Sequence, residues 1–243
     1  MRISRGTLTA LALTALATAG PPAQAATGAR TAATGSAAVT AAAVIHSQVI
    51  TVRAATATAR TAVLEAWQRT STGAYRRVYG PITAYVGAGG VGTASEGSTR
   101  TPAGVWWLTQ AFGIKANPGV TLRYFKVDNN DWWVSDVHSP YYNQHYRCAP
   151  GHCPFNEAAG EHLLAVGAAY RYAVLINYNT GPIRPGAGSA FFLHVSTGRP
   201  TAGCVAVPQA NLLWLMRWMY SLHHPLISIG VGSQAYAPIP RRV

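Results

Sequence analysis

From residue 48 onward the chain is cut into short runs of alternating apolar and polar residues, separated by Gly and Pro. Such a pattern excludes a helical bundle or a chain of long amphipathic helices. In residues 48–53, Val49, Thr51 and Arg53 alternate with Ile50 and Val52. In 62–69, Val63, Glu65, Trp67 and Arg69 share one face, and Leu64, Ala66 and Gln68 the other. Ser71-Thr72-Gly73 marks a hairpin turn. Residues 75–79 and 82–86 continue as two strands around Gly80-Pro81. Strands are also expected at 104–112, at 122–128 and 131–136 as a hairpin joined at Asn129-Asn130, at 173–177, 190–195 and 226–231. The pattern is a β-meander and not βαβ. Residues 161–166 read as a short helix. Residues 208–220 form the clearest one, with Pro208 in its first turn and Leu212, Leu215, Met216 and Met219 as a core stripe. The expected fold class is mostly β with a few short helices.

Composition narrows the class further. With 243 residues, 49% of them apolar and 11% charged, the chain can bury a substantial core and does not have the makeup of a disordered polymer. Seven Trp and twelve Tyr favour strands and aromatic-lined clefts. Residues 1–25 read as a secretory signal peptide. Arg2 and Arg5 precede a small apolar stretch, and Ala23-Gln24-Ala25 forms the cleavage site. The apolar stretch is too short for a membrane span and is broken by Pro22. Residues 26–45 contain 13 Ala or Thr and read as a flexible linker. A folded domain is expected over 46–235, with a tail over 236–243.

The formal net charge of +12 comes from scattered Arg residues with no run longer than two. In an exported chain that distribution suits anionic cell-wall polymers rather than nucleic acid. The Gly-rich segment 87–98 lacks the Gly-Lys-Ser/Thr ending of a phosphate loop and reads as a surface loop.

The three cysteines divide into a pair and a single. Cys148 and Cys153 flank a Pro150-Gly151 turn, and in an oxidising compartment they are expected to pair. His138, His145 and His152 lie close enough to these two for a zinc alternative, although no second Cys pair or His-x3–5-His follows. Cys204 is left over. It follows Gly203, ten residues beyond His194 at the end of the apolar run 191–195. Cys and His together supply a nucleophile and its base. Backbone N–H groups of Gly203 and Cys204 are candidate oxyanion donors. The helix at 208 is expected to favour the thiolate. A buried free Cys beside a core His is the plainer alternative.

Phe192-Leu193-His194 followed by Thr201-Ala202-Gly203-Cys204-Val205 resembles the active-site signature of the L,D-transpeptidase catalytic domain (YkuD) family. Two further segments resemble it in the same order. Arg100-Thr101-Pro102-Ala103-Gly104-Val105-Trp106 is similar to its upstream Thr-Pro-x-Gly-x-Phe strand. Trp133-Val134-Ser135-Asp136 with Ser139, Tyr142 and Asn143 is similar to a segment of its shorter, secreted, actinobacterial-type branch. The chain departs from many members at Ala202, Ala206 and Val195, where they carry His, Arg and Gly.

The resemblance implies a curved β-sandwich, a secreted or wall-associated location and action on peptidoglycan stem peptides. Cys204 would form a thioester with a tetrapeptide stem, release D-Ala, and pass the acyl group to an amine, or to water in an L,D-carboxypeptidase reaction. No metal or organic cofactor is implied. It assigns Cys204 as nucleophile, His194 as base and acid, and Gly203 as oxyanion donor. Thr201, Ser196, Trp133, Tyr142 and Asn143 are substrate-cleft candidates. The competing expectation is a non-catalytic wall-binding protein that keeps the fold.

Overall fold

The computed structural model describes residues 46–240 and 242–243; the expected signal peptide and linker lie outside them. Alternation becomes strand at once. β1 (Gln48–Ala54), β2 (Thr61–Arg69) and β3 (Tyr75–Tyr85) form an antiparallel meander. The two strands expected around Gly80-Pro81 are one. The ladder absorbs the interruption as a register shift opposite Leu64–Ala66. Gly80 has φ +87°, and a Cβ there would stand 2.6 Å from the Leu64 carbonyl oxygen, so only glycine allows the approach.

Next come β4 (Val91–Gly92) and β5 (Thr101–Pro102), which pair in parallel. The single strand expected over 104–112 divides into β6 (Gly104–Trp107) and β7 (Gln110–Gly113). The break at Leu108-Thr109 sends the halves to distant positions in the main sheet. β8 (Arg123–Lys126) lies parallel to β7. The hairpin expected between it and β9 (Asp131–Trp133) is therefore absent. Asp131 explains the departure. Its carboxylate accepts from Asp128 N at 2.7 Å, Arg147 Nη1 at 2.6 Å and His145 Nε2 at 2.8 Å. Those bonds fold β10 (His145–Arg147) onto β9.

β11 (Glu161–His162) covers the other edge of β9, pairing Glu161 with Trp133. A helix was expected here. Six residues cannot offset helix nucleation, and a free strand edge supplies the backbone partners instead. Then follow β12 (Ala173–Leu175), β13 (Phe192–Val195), β14 (Val205–Val207), α1 (Gln209–Trp218) and β15 (Leu226–Val231). Pro208 is the N-cap of α1 and not a residue of its first turn.

The main sheet runs β6-β15-β1-β2-β3-β14-β13-β12-β7-β8, and β10-β9-β11 form a smaller sheet. The meander is flanked by β15, parallel to β1, and by β14, antiparallel to β3, and β14 in turn lies parallel to β13. The whole is a curved, mostly β sandwich. Leu193 and Val195 of β13, Val205 and Val207 of β14, and Leu212, Leu215 and Met216 of α1 belong to the larger core. Phe192 and Cys204 belong to a second cluster with Phe112, Trp133, Leu163 and Tyr170. The C-terminal residues fold back, with Ile239 buried beside Val49 and Trp67, and Val243 N donating to Tyr75 O at 3.0 Å.

Candidate active site

Cys204 and His194 reach one face of the sheet by register. β13 and β14 are parallel with Leu193 opposite Val205, which places Cys204 opposite Phe192. His194 lies two residues beyond Phe192 and so shares its face. The Tyr170 ring packs edge-on against both Phe192 and His194, at centroid distances of 5.4 and 5.6 Å.

The imidazole has a defined tautomer. His194 Nδ1 lies 2.9 Å from the Val195 carbonyl, which can only accept, so Nδ1 carries the hydrogen. Burial lowers the pKa of His194, opposed by that carbonyl. The ring is then neutral, with Nε2 as its basic atom.

The thiol is buried and free. Phe192 N donates to the sulfur at 3.3 Å, and the S–H donates to Ala190 O at 3.4 Å. Among the described residues no hydrogen bond joins it to His194. Burial and the Glu161 carboxylate push its pKa up, while Phe192 N–H and the Tyr170 hydroxyl act against them. The helix expected to favour a thiolate does not reach it, because β14 separates Cys204 from α1. At rest the pair is a thiol and a neutral imidazole.

Gly203 has φ +152°, and a Cβ there would stand 2.7 Å from the Phe191 ring. Its N–H donates to Thr201 Oγ1 at 3.1 Å, so that donor is already engaged. The Thr201 hydroxyl in turn donates to Cys204 O at 2.6 Å, and Thr101 Oγ1 reaches the same oxygen at 3.3 Å. The N–H of Cys204 itself has no partner among the described residues.

The other expected site residues divide into support and surface. Asn143 accepts from Trp133 Nε1 at 2.9 Å and from Ala190 N at 3.1 Å, and donates to Tyr178 O and Asn179 O. It fixes the residue whose carbonyl takes the thiol hydrogen. Trp133 packs against Phe192, with ring centroids 5.1 Å apart. Tyr142 is buried, donates to Glu96 and accepts from Gly188 N at 3.1 Å. Burial and Glu96 push its phenol up to about 12, which keeps it a donor. Ser196 lies in a turn and accepts from Gly198 N at 3.0 Å; among the described residues it forms no hydrogen bond with the imidazole. Cys148 and Cys153 form a disulfide with Cα atoms 5.3 Å apart, so neither thiol is available to a metal.

A cavity of about 180 Å³ opens over Cys204. Its walls include Gly203, Ser135, Ser189, Glu96 and Glu161. The Gly-rich segment supplies part of it through residues 95–98, so that loop is a wall of the site. Tyr170 donates to Glu161 Oε2 at 2.5 Å. Burial, with a smaller push from Glu96, raises Glu161 to about 7. No motif in the sequence marks Glu96, Glu161 or Tyr170. An acidic residue is a scarce event in a chain with seven Asp and Glu in total, and that scarcity was the available signal.

Residues 47–234 match a family model described as the L,D-transpeptidase catalytic domain, YkuD. The chain belongs to this family. Neither the curated proteins nor the solved structures with which it was compared include a match.

Proposed function

We propose that the protein is a peptidoglycan L,D-transpeptidase working through a Cys204 thioester. The thiol attacks the carbonyl that joins the L-centre of the third stem residue to the terminal D-Ala of a tetrapeptide. His194 Nε2 takes the thiol proton as the C–S bond forms and delivers it to the departing amine of D-Ala. The Cys204 N–H faces the charge that develops on the carbonyl oxygen. An amine from a second stem then displaces the sulfur and forms the cross-link; water gives a trimmed stem. No metal or organic cofactor takes part.

The observation that carries this reading is the pairing of a free thiol, at a cavity wall, with a neutral imidazole on the same sheet face whose Nδ1–H is committed to Val195 O. An exported location fits the chemistry, and a net charge of +12 suits anionic wall polymers. The test is D-Ala release from disaccharide-tetrapeptide, with mass spectrometry of the protein for a thioester adduct. Cys204→Ala is expected to abolish both while still binding peptidoglycan. Wild-type release by that variant would overturn the reading in favour of wall binding alone.

A further inference from the structure

Two acidic side chains, and no basic one, line the cavity over the nucleophile of a strongly basic protein. They are not equivalent. Glu96 Oε2 is the acceptor for the Tyr142 hydroxyl and lies 2.9 Å from Ser189 Oγ, so it is anchored from two sides. Glu161 has one donor, the Tyr170 hydroxyl on Oε2, and its Oε1 has no partner among the described residues. His194 is not part of the cavity wall, whereas Glu161 and Cys204 both are. A group held in this cavity is therefore bounded by Glu161 as well as by Cys204. Tyr170 ties the two together, with its hydroxyl on Glu161 and its ring against His194.

We propose that Glu161 is a second acid–base residue of this site, taking the proton of the amine that resolves the acyl-enzyme and returning it through Tyr170 to the Cys204 sulfur. The proposal rests on the acyl-transfer reading above. In the step, the amine nitrogen forms a bond to the thioester carbonyl carbon, and the C–S bond breaks. The amine proton passes to the Glu161 carboxylate. The carboxyl group gives a proton to the Tyr170 oxygen as the Tyr170 hydroxyl hydrogen moves to the thiolate. Amide and free thiol result, with both side chains restored. His194 serves the first half-reaction, and Glu161 joins it in the second.

A base must be ionised to accept. The groups facing Glu161 are Tyr170, Glu96 and Cys204, with His194 across the Tyr170 ring. Burial holds the Glu161 carboxyl at about 7, within the range where its ionisation is visible in a rate.

The experiment uses the full-length protein with disaccharide-tetrapeptide as donor and glycine amide as resolving amine. Single-turnover D-Ala release reads the first step, and decay of the Cys204 adduct reads the second. Glu161→Gln keeps an acceptor for Tyr170. It is expected to slow resolution by about tenfold or more relative to the D-Ala burst, and to remove the rise of the resolution rate with pH through 7. Tyr170→Phe keeps the carboxylate, cuts the return path, and is expected to show the same split. Equal slowing of both steps, or a wild-type resolution rate in either variant, would overturn the proposal. D-Ala release by Cys204→Ala would instead overturn the acyl-transfer reading, and the two failures are distinct.

Discussion

The two faces of β13 place four consecutive residues in opposite surroundings. Leu193 and Val195 enter a cluster made of aliphatic and aromatic side chains from the meander, β14 and α1. Phe192 and His194 enter the face that holds Cys204, Tyr170 and Trp133. All four are buried. The fully buried side chains of the first cluster carry no titratable group, and their burial contributes stability through apolar contact. Burial on the second face lowers His194 and raises Cys204, Tyr170 and Glu161. The same loss of water thus supplies cohesion on one side of a strand and tunes proton affinity on the other.

Substitutions can separate those two uses. The largest expected effect is on the reactive face. His194→Ala should lower D-Ala release by about two to four orders of magnitude, the usual worth of a positioned base. Release at the wild-type rate would remove His194 from the chemistry. Leu193→Ala, one residue earlier, should do the reverse. It should cost about 2–5 kcal/mol of stability in denaturant unfolding, as large-to-small changes in a close-packed core do, and leave the rate per folded molecule near wild type. A large loss of rate with little loss of stability would show that the faces are not independent.

Glu161 sharpens the contrast, because its burial has a stability cost on the apolar scale. Its folded pKa of about 7 lies above the usual 4.5. The folded state therefore holds the proton more tightly. Stability from this group is fully present below pH 4.5 and is lost as pH rises through 7. Glu161→Gln carries no such proton. Relative to wild type it should gain roughly 2–4 kcal/mol between pH 4.5 and pH 8, measured by urea unfolding at both. His194 works in the opposite sense, since its lowered pKa adds stability as pH rises towards neutrality, and it is common to both proteins. An unchanged difference across that range would mean that Glu161 is ionised at no cost.

What could be seen in the sequence follows the same division. Cys204 and His194 lie within eleven residues, and their strand and turn are local, so their place on one sheet face was legible. β1, β2 and β15 were legible because period-two alternation and turn residues mark them. Glu161 and Tyr170 come from segments some 30 to 40 residues before Cys204, and only the pairing of β11 with β9 and the packing of residues 167–171 bring them to the thiol. A run such as Glu161-His162-Leu163-Leu164 carries helix-favouring residues, and the strand edge that overrides them is not local. The departure of β9 from β8 was hidden for a similar reason. It depends on Asp131 gathering three donors, two of them from residues 14 and 16 positions away.

The smallest expected effect distinguishes a residue near the base from one that acts on it. Ser196 follows Val195 directly and is the hydroxyl that proximity to His194 recommends as its orienting group. Its oxygen instead accepts from Gly198 N at 3.0 Å in a turn whose next residues are exposed. The imidazole is held by the backbone carbonyl of Val195 at 2.9 Å, and no side-chain change at 196 removes that acceptor. Ser196→Ala should therefore change stability by no more than about 0.5 kcal/mol. It should leave both the D-Ala release rate and its pH profile at wild type. A shifted profile would show that the hydroxyl leaves its turn during the reaction, and that orientation of the base is shared between a side chain and the main chain.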